Sequence, residues 1–112
     1  MRDDRVYLAH ILECINRIER GVSKGKGEFV QTDLLQDAVV RNLQVLSEST
    51  QRLSEELKSR YPMVEWRKIA DFRNRLVHDY LGVDLEIVWH VIEEDLPELK
   101  RAIVEILRQT TS

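Results

Sequence analysis

One cysteine in the whole chain excludes an intramolecular disulfide, and with it the stapled frameworks of small secreted proteins. That residue, Cys14, falls at helical spacing with Tyr7, Ile11 and Ile18, the pattern of a small buried hydrophobe rather than a reactive thiol. No apolar run approaches the roughly 20 residues needed to cross a bilayer, and no short apolar segment carries a cleavage site, so a cytoplasmic protein with no membrane partner is expected. His10 and His90 lack a second His or Cys at metal-ligating spacing, and the neighbouring carboxylates Glu93, Glu94 and Asp95 point in different directions on a helix. Neither a metal nor a cofactor is expected. Gly21, Gly25 and Gly27 crowd one loop, yet no strand precedes them and the P-loop spacing is missing, so they read as a linker. There is no Ser-His-Asp arrangement, no internal repeat and no segment alternating with period two.

What remains is helical periodicity. With 112 residues, 43% of them hydrophobic and 33% charged, the chain suits a single domain over 1–112 built on one core. A first helix is predicted from about Asp3 to Arg20, with Leu8, Ile11, Leu12, Ile15 and Ile18 on one face and Gly21 as its stop. A long, bent second helix starts at Thr32 or Asp33 and runs to about Arg60, with Leu35, Val39, Asn42, Leu46, Leu53 and Leu57 inward. Pro62 closes that segment. A third helix carries Trp66 through about Tyr80 and stops at Gly82; Asp84 caps a fourth with Leu85, Val88, Trp89 and Ile92 in the core. Asp95-Leu96-Pro97-Glu98 reads as a cap, an early proline and a capping box that restart the helix, after which Leu99, Ile103, Ile106 and Leu107 face inward. The expected architecture is all-α, a four- to five-helix up-down bundle.

The third helix holds an oddity. On a wheel of about 100° per residue, Trp66, Ile69, Ala70, Leu76, Val77 and Tyr80 fall within roughly 60° of Arg73, so an arginine occupies the middle of an apolar stripe. A guanidinium cannot shed its charge, and an unpaired buried charge is costly, so the position asks for a partner, an interface or an anion. Asn74 and His78, at i and i+4, border the same stripe, and a histidine in a last helical turn would have its charged form favoured by the helix dipole. The plainer reading is a snorkelling Arg73 and a solvated His78. A net charge of −3 argues against a protein that coats nucleic acid non-specifically, but Arg60, Arg67, Lys68, Arg73 and Arg75 fall within sixteen residues, while Glu93, Glu94, Asp95 and Glu98 form an acidic block elsewhere. The basic cluster is either a local positive cleft or a set of solvated i,i+4 pairs such as Asp71 with Arg75 and Arg75 with Asp79.

Trp66 to Tyr80, with arginine, four residues, histidine, any residue and tyrosine at Arg73, His78 and Tyr80, resembles the signature of HepT-like proteins within the HEPN superfamily, without gap or substitution. The resemblance implies an all-helical ribonuclease toxin paired with a nucleotidyltransferase antitoxin that attaches AMP to the motif tyrosine, here Tyr80. RNA can be cut without a metal when its own 2′-hydroxyl attacks phosphorus, which requires a proton shuttle and a cation: His78 and Arg73, with Asn74 supporting. One protomer supplies a single His and a single Arg, so a two-fold homodimer that doubles both is expected. The reading is thus a metal-independent endoribonuclease acting on RNA, with transfer RNA foremost by resemblance. The rivals are a non-catalytic helical dimer that binds nucleotide or RNA, and a docking partner of a nucleotidyltransferase.

Overall fold

The structure, a computed structural model, describes residues 2–78 and 82–110; the side chains at 2, 73, 76–78, 82 and 83 are outside that description. The chain forms the expected all-α bundle. Helix α1 (Arg2–Gly21) packs against α3 (Asp33–Gln51) and α8 (Leu96–Thr110). The reason is a shared spacing: Leu8, Ile11, Ile15 and Ile18 on α1 and Leu96, Leu99, Ile103 and Ile106 on α8 recur every three or four residues, and all are buried. Val39, Leu43, Leu46 and Thr50 give α3 the same rhythm. Three apolar seams of about two residues per heptad thus close on one another in the manner of a helical bundle.

The loop after α1 is more ordered than its glycines imply. Gly25, at φ 94°, takes the left-handed turn that starts a short helix, α2 (Lys26–Gln31), so Gly27 is helical. Phe29, fully buried, anchors α2 through its ring, 5.5 Å from that of Trp89, and Lys26 pairs with Glu86 at 2.9 Å. The long second helix is broken. It stops at Gln51, and α4 (Glu55–Arg60) restarts after Ser54, whose hydroxyl accepts from Leu57 N. Asp4, 3% exposed, fixes the break by accepting from Ser54 N at 2.8 Å and from Ser54 Oγ at 2.6 Å. Asn42, placed inward by the wheel, instead donates to Ala38 O on the exposed side.

At the C-terminal end the expected restart at Asp95 does not occur. Helix α7 (Leu85–His90), capped as anticipated by Asp84 on Glu86 N and Ile87 N, runs through a π-helical turn at Val91–Asp95 straight into α8. Pro97 has no N–H to give to the carbonyl four residues back, and the N–H of Leu96 reaches five residues back to Val91 O. The helix absorbs the proline by widening one turn. Among the described residues, no helix is long and apolar enough to cross a membrane.

Candidate functional site

The motif segment is two short helices with a seam between them. Helices α5 (Trp66–Ala70) and α6 (Phe72–Leu76) meet at Asp71, whose N–H bonds to Arg67 O and Lys68 O. Among the described side chains of this stretch, Ile69 and Phe72 are buried, Phe72 completely. Trp66 is half-buried, its indole N–H donating to Tyr61 O at 3.1 Å.

The expected helix to Tyr80 ends early. After Leu76 the chain extends into β1 (Val77–His78), which pairs antiparallel with β2 (Gly82–Val83), Val77 opposite Val83 and His78 opposite Gly82. The pairing takes up backbone groups that a further helical turn would have used, and the β-branched Val77 and Val83 suit an extended ladder. His78 therefore stands on a strand, not in a last helical turn, so the shared helical strip with Asn74 and the helix-dipole argument for its charged form both fall away. The structure puts Arg73 on α6 and His78 on the adjoining β1. Their side chains, and Asp79 and Tyr80 altogether, lie outside the described residues.

An open groove runs along the solvent side of α5 and α6, lined by Gln51, Arg67, Lys68, Asp71, Asn74 and Arg75. Gln51 of α3 forms its far wall and donates to Ala70 O at 3.2 Å. Asn74 is held by its amide, which donates to Asp71 Oδ1 at 2.7 Å. Of the basic cluster, Arg67, Lys68 and Arg75 all reach this groove, whereas Arg60 turns back to Glu56 at 3.2 Å.

One residue of the acidic block, Asp95, does not stand apart from the basic cluster. Asp95, swung inward by the π-helical turn and 13% exposed, meets Lys68 Nζ at 2.9 Å and Arg75 Nη1 at 3.6 Å. Arg75 thus takes a partner from the far end of the chain rather than its i−4 neighbour Asp71, and its guanidinium lies 5.6 Å from the ring centre of Phe72. The hydrogen bond that Lys68 donates to Asp95 raises the pKa of Lys68 above its ordinary value, with the nearby negative charge adding to it. Behind this pair, a cavity of about 200 Å³ opens between α5, α6 and α8, walled by Val64, Ile69, Phe72, Leu99 and Ala102. Asp95 was hidden in the sequence because Asp-Leu-Pro reads as a helix start. The one contrary signal is the apolar rhythm of Val88, Ile92, Leu96, Leu99 and Ile103, which runs through the proline without a break.

His10 and His90 are both exposed, and Cys14 is buried in the core, where desolvation lifts its thiol above the usual range. A family model described as ribonuclease HepT-like matches residues 11–106. The chain belongs to the HepT-like ribonuclease family. Similar proteins include a candidate RNase of Caldanaerobacter subterraneus, 37% identical over 110 residues and covering 97% of this chain and 98% of that protein. A Methanocaldococcus jannaschii protein described as a gamma-glutamylcyclotransferase and candidate RNase is 36% identical over 109 residues, 96% of this chain. The HepT-like chain spans about half of that longer protein, 49%. The mRNA nuclease HepT of Shewanella oneidensis is 29% identical over 129 residues, covering 86% of this chain and 90% of that one. No solved structure matches the HepT-like chain significantly.

Proposed function

We propose that this HepT-like chain is a metal-independent endoribonuclease, the toxin of a toxin–antitoxin pair acting in the cytoplasm. The observation that carries the reading is the family match across residues 11–106, which takes in an intact Arg73, Asn74, His78 and Tyr80 set. The groove beside α6 supports it: Arg67, Lys68 and Arg75 supply cations that a phosphate backbone needs, on a chain whose net charge is −3.

In this reading the 2′-hydroxyl of the RNA attacks the adjoining phosphorus, the bond from phosphorus to the 5′-oxygen breaks, and a 2′,3′-cyclic phosphate remains. His78 carries a proton to or from the reacting oxygens, a contribution of about 10²–10⁴-fold. Arg73 holds the phosphate and offsets its developing charge. Asn74, fixed by Asp71, orients His78 or hydrogen-bonds the substrate. A two-fold dimer brings two Arg73 and two His78 into one cleft, giving one group for the proton removed and another for the proton returned. The substrate is cellular RNA, with transfer RNA the first to test and messenger RNA, named for the Shewanella relative, the second.

Tyr80 is the regulatory position. Attachment of AMP by a partner nucleotidyltransferase would place a phosphate charge and a bulky nucleoside next to the motif, excluding RNA by charge and by shape. Two variants test the reading. His78→Ala, folded as judged by circular dichroism, should lose RNA cleavage and growth arrest; full toxicity in a folded variant removes His78 from catalysis. Incubation with the partner nucleotidyltransferase and ATP should add AMP mass to a peptide containing Tyr80 and silence the nuclease, and should do neither in Tyr80→Phe; modification of Tyr80→Phe would move the acceptor elsewhere.

A further inference from the structure

Lys68 and Arg75 come from α5 and α6, on either side of the seam at Asp71, and both line the groove assigned to RNA. One carboxylate from the other end of the chain meets both. Asp95 Oδ1 stands 2.9 Å from Lys68 Nζ and Oδ2 stands 3.6 Å from Arg75 Nη1. The latter distance is beyond a hydrogen bond, and Arg75 Nη1 and Asp95 Oδ2 are buried atoms with no hydrogen-bond partner. Two cations, with side chains 38% and 28% exposed, therefore converge on one anion that is 13% exposed, so water screens the carboxylate less than it screens either cation. A cavity of about 200 Å³, lined by Ile69 and Phe72 and also by Lys68 and Asp95 themselves, lies beside this pairing. Only Asp95 joins both halves of the motif segment by ion pairs, among the described residues.

We infer that Asp95 is a positioning residue of the nuclease, in which the carboxylate on the π-helical turn holds α5 and α6 in register so that the motif is presented to RNA. The inference rests on the nuclease reading of the same groove. Asp95 does not touch substrate; it acts through Lys68 and Arg75. The π-helical turn matters because it brings Asp95 to the motif side while Leu96, Leu99 and Ile103 keep facing the core. An acidic residue beside an RNA groove would otherwise be a liability. Removing its charge frees two cations, so simple electrostatics predicts tighter RNA binding and faster cleavage. A positioning role predicts the opposite for turnover.

The test is Asp95→Asn in the full chain, assayed on transfer RNA and on a single-stranded oligoribonucleotide alongside the unaltered protein, with amide hydrogen exchange followed over residues 66–78. The expected result is a fall in kcat of at least about tenfold with KM unchanged or lowered, and exchange that quickens in 66–78 more than in α1 or α3. Asp95→Glu, which keeps the charge on a longer arm, should recover part of kcat; it also serves as the folded variant if Asp95→Asn does not fold. Unchanged or raised kcat in the folded variants overturns the positioning role, as does a loss confined to melting temperature with full activity per folded molecule. If the unaltered protein cleaves neither RNA, the nuclease reading fails on its own account. The exchange data then judge the positioning: quickened exchange in 66–78 upholds the clamp, and unchanged exchange overturns it.

Discussion

Single side chains in this fold divide between those whose partners are visible in local spacing and those whose partners come from afar. Cys14 belongs to the first kind: its helical spacing with Ile11 and Ile18 marks a core position, and its burial raises the thiol pKa, so little thiolate forms near neutral pH. Alkylation of the native protein by iodoacetamide at pH 8 should therefore be slower by at least about tenfold than in urea, as read by mass spectrometry; equal rates would place the thiol at the surface. Asp4 belongs to the second kind. Its carboxylate accepts two hydrogen bonds from Ser54, fifty positions along the chain, and no local pattern announces that. Asp4→Ala leaves the half-buried Ser54 N–H without its partner, and the expected cost is about 1–2 kcal/mol. A lowered urea midpoint with unchanged slope would register it, and a midpoint within error of the unaltered protein would contradict the role.

At the scale of elements, periodicity found the helices and missed their joints. Leu8 to Ile18 and Leu99 to Ile106 were legible because a three-four repeat over several turns has one structural solution. The break at Ser54 and the short α2 were not, because each is settled by a contact across the fold; the two-residue ladder of Val77–His78 with Gly82–Val83 is local, but too short to show an alternating pattern. Asp95 shows the same limit most clearly. Asp-Leu-Pro-Glu is sound helix-start chemistry, yet the apolar face on both sides of it demanded a continuous helix, and a widened turn satisfied proline and packing together. At the candidate site, the Arg73, Asn74, His78 and Tyr80 pattern was fully legible as sequence. Its wheel geometry was not, since the wheel assumed one helix where α5, a seam, α6 and a strand follow one another.

For the molecule as a whole, a helical frame with net charge −3 gathers Arg67, Lys68 and Arg75 along one groove and sets a single carboxylate behind two of them. RNA is assigned to that groove and the chemistry to the substrate's own 2′-hydroxyl, with Arg73 and His78 assisting. This claim fixes the product ends. The decisive measurement is to incubate the purified protein with a 5′-labelled transfer RNA in excess EDTA and to analyse the ends of the fragments. Cleavage undiminished by EDTA is expected, leaving 2′,3′-cyclic phosphate and 5′-hydroxyl ends, with no fragments from His78→Ala. Cleavage that stops in EDTA and returns with Mg²⁺, leaving 5′-phosphate ends, would contradict it.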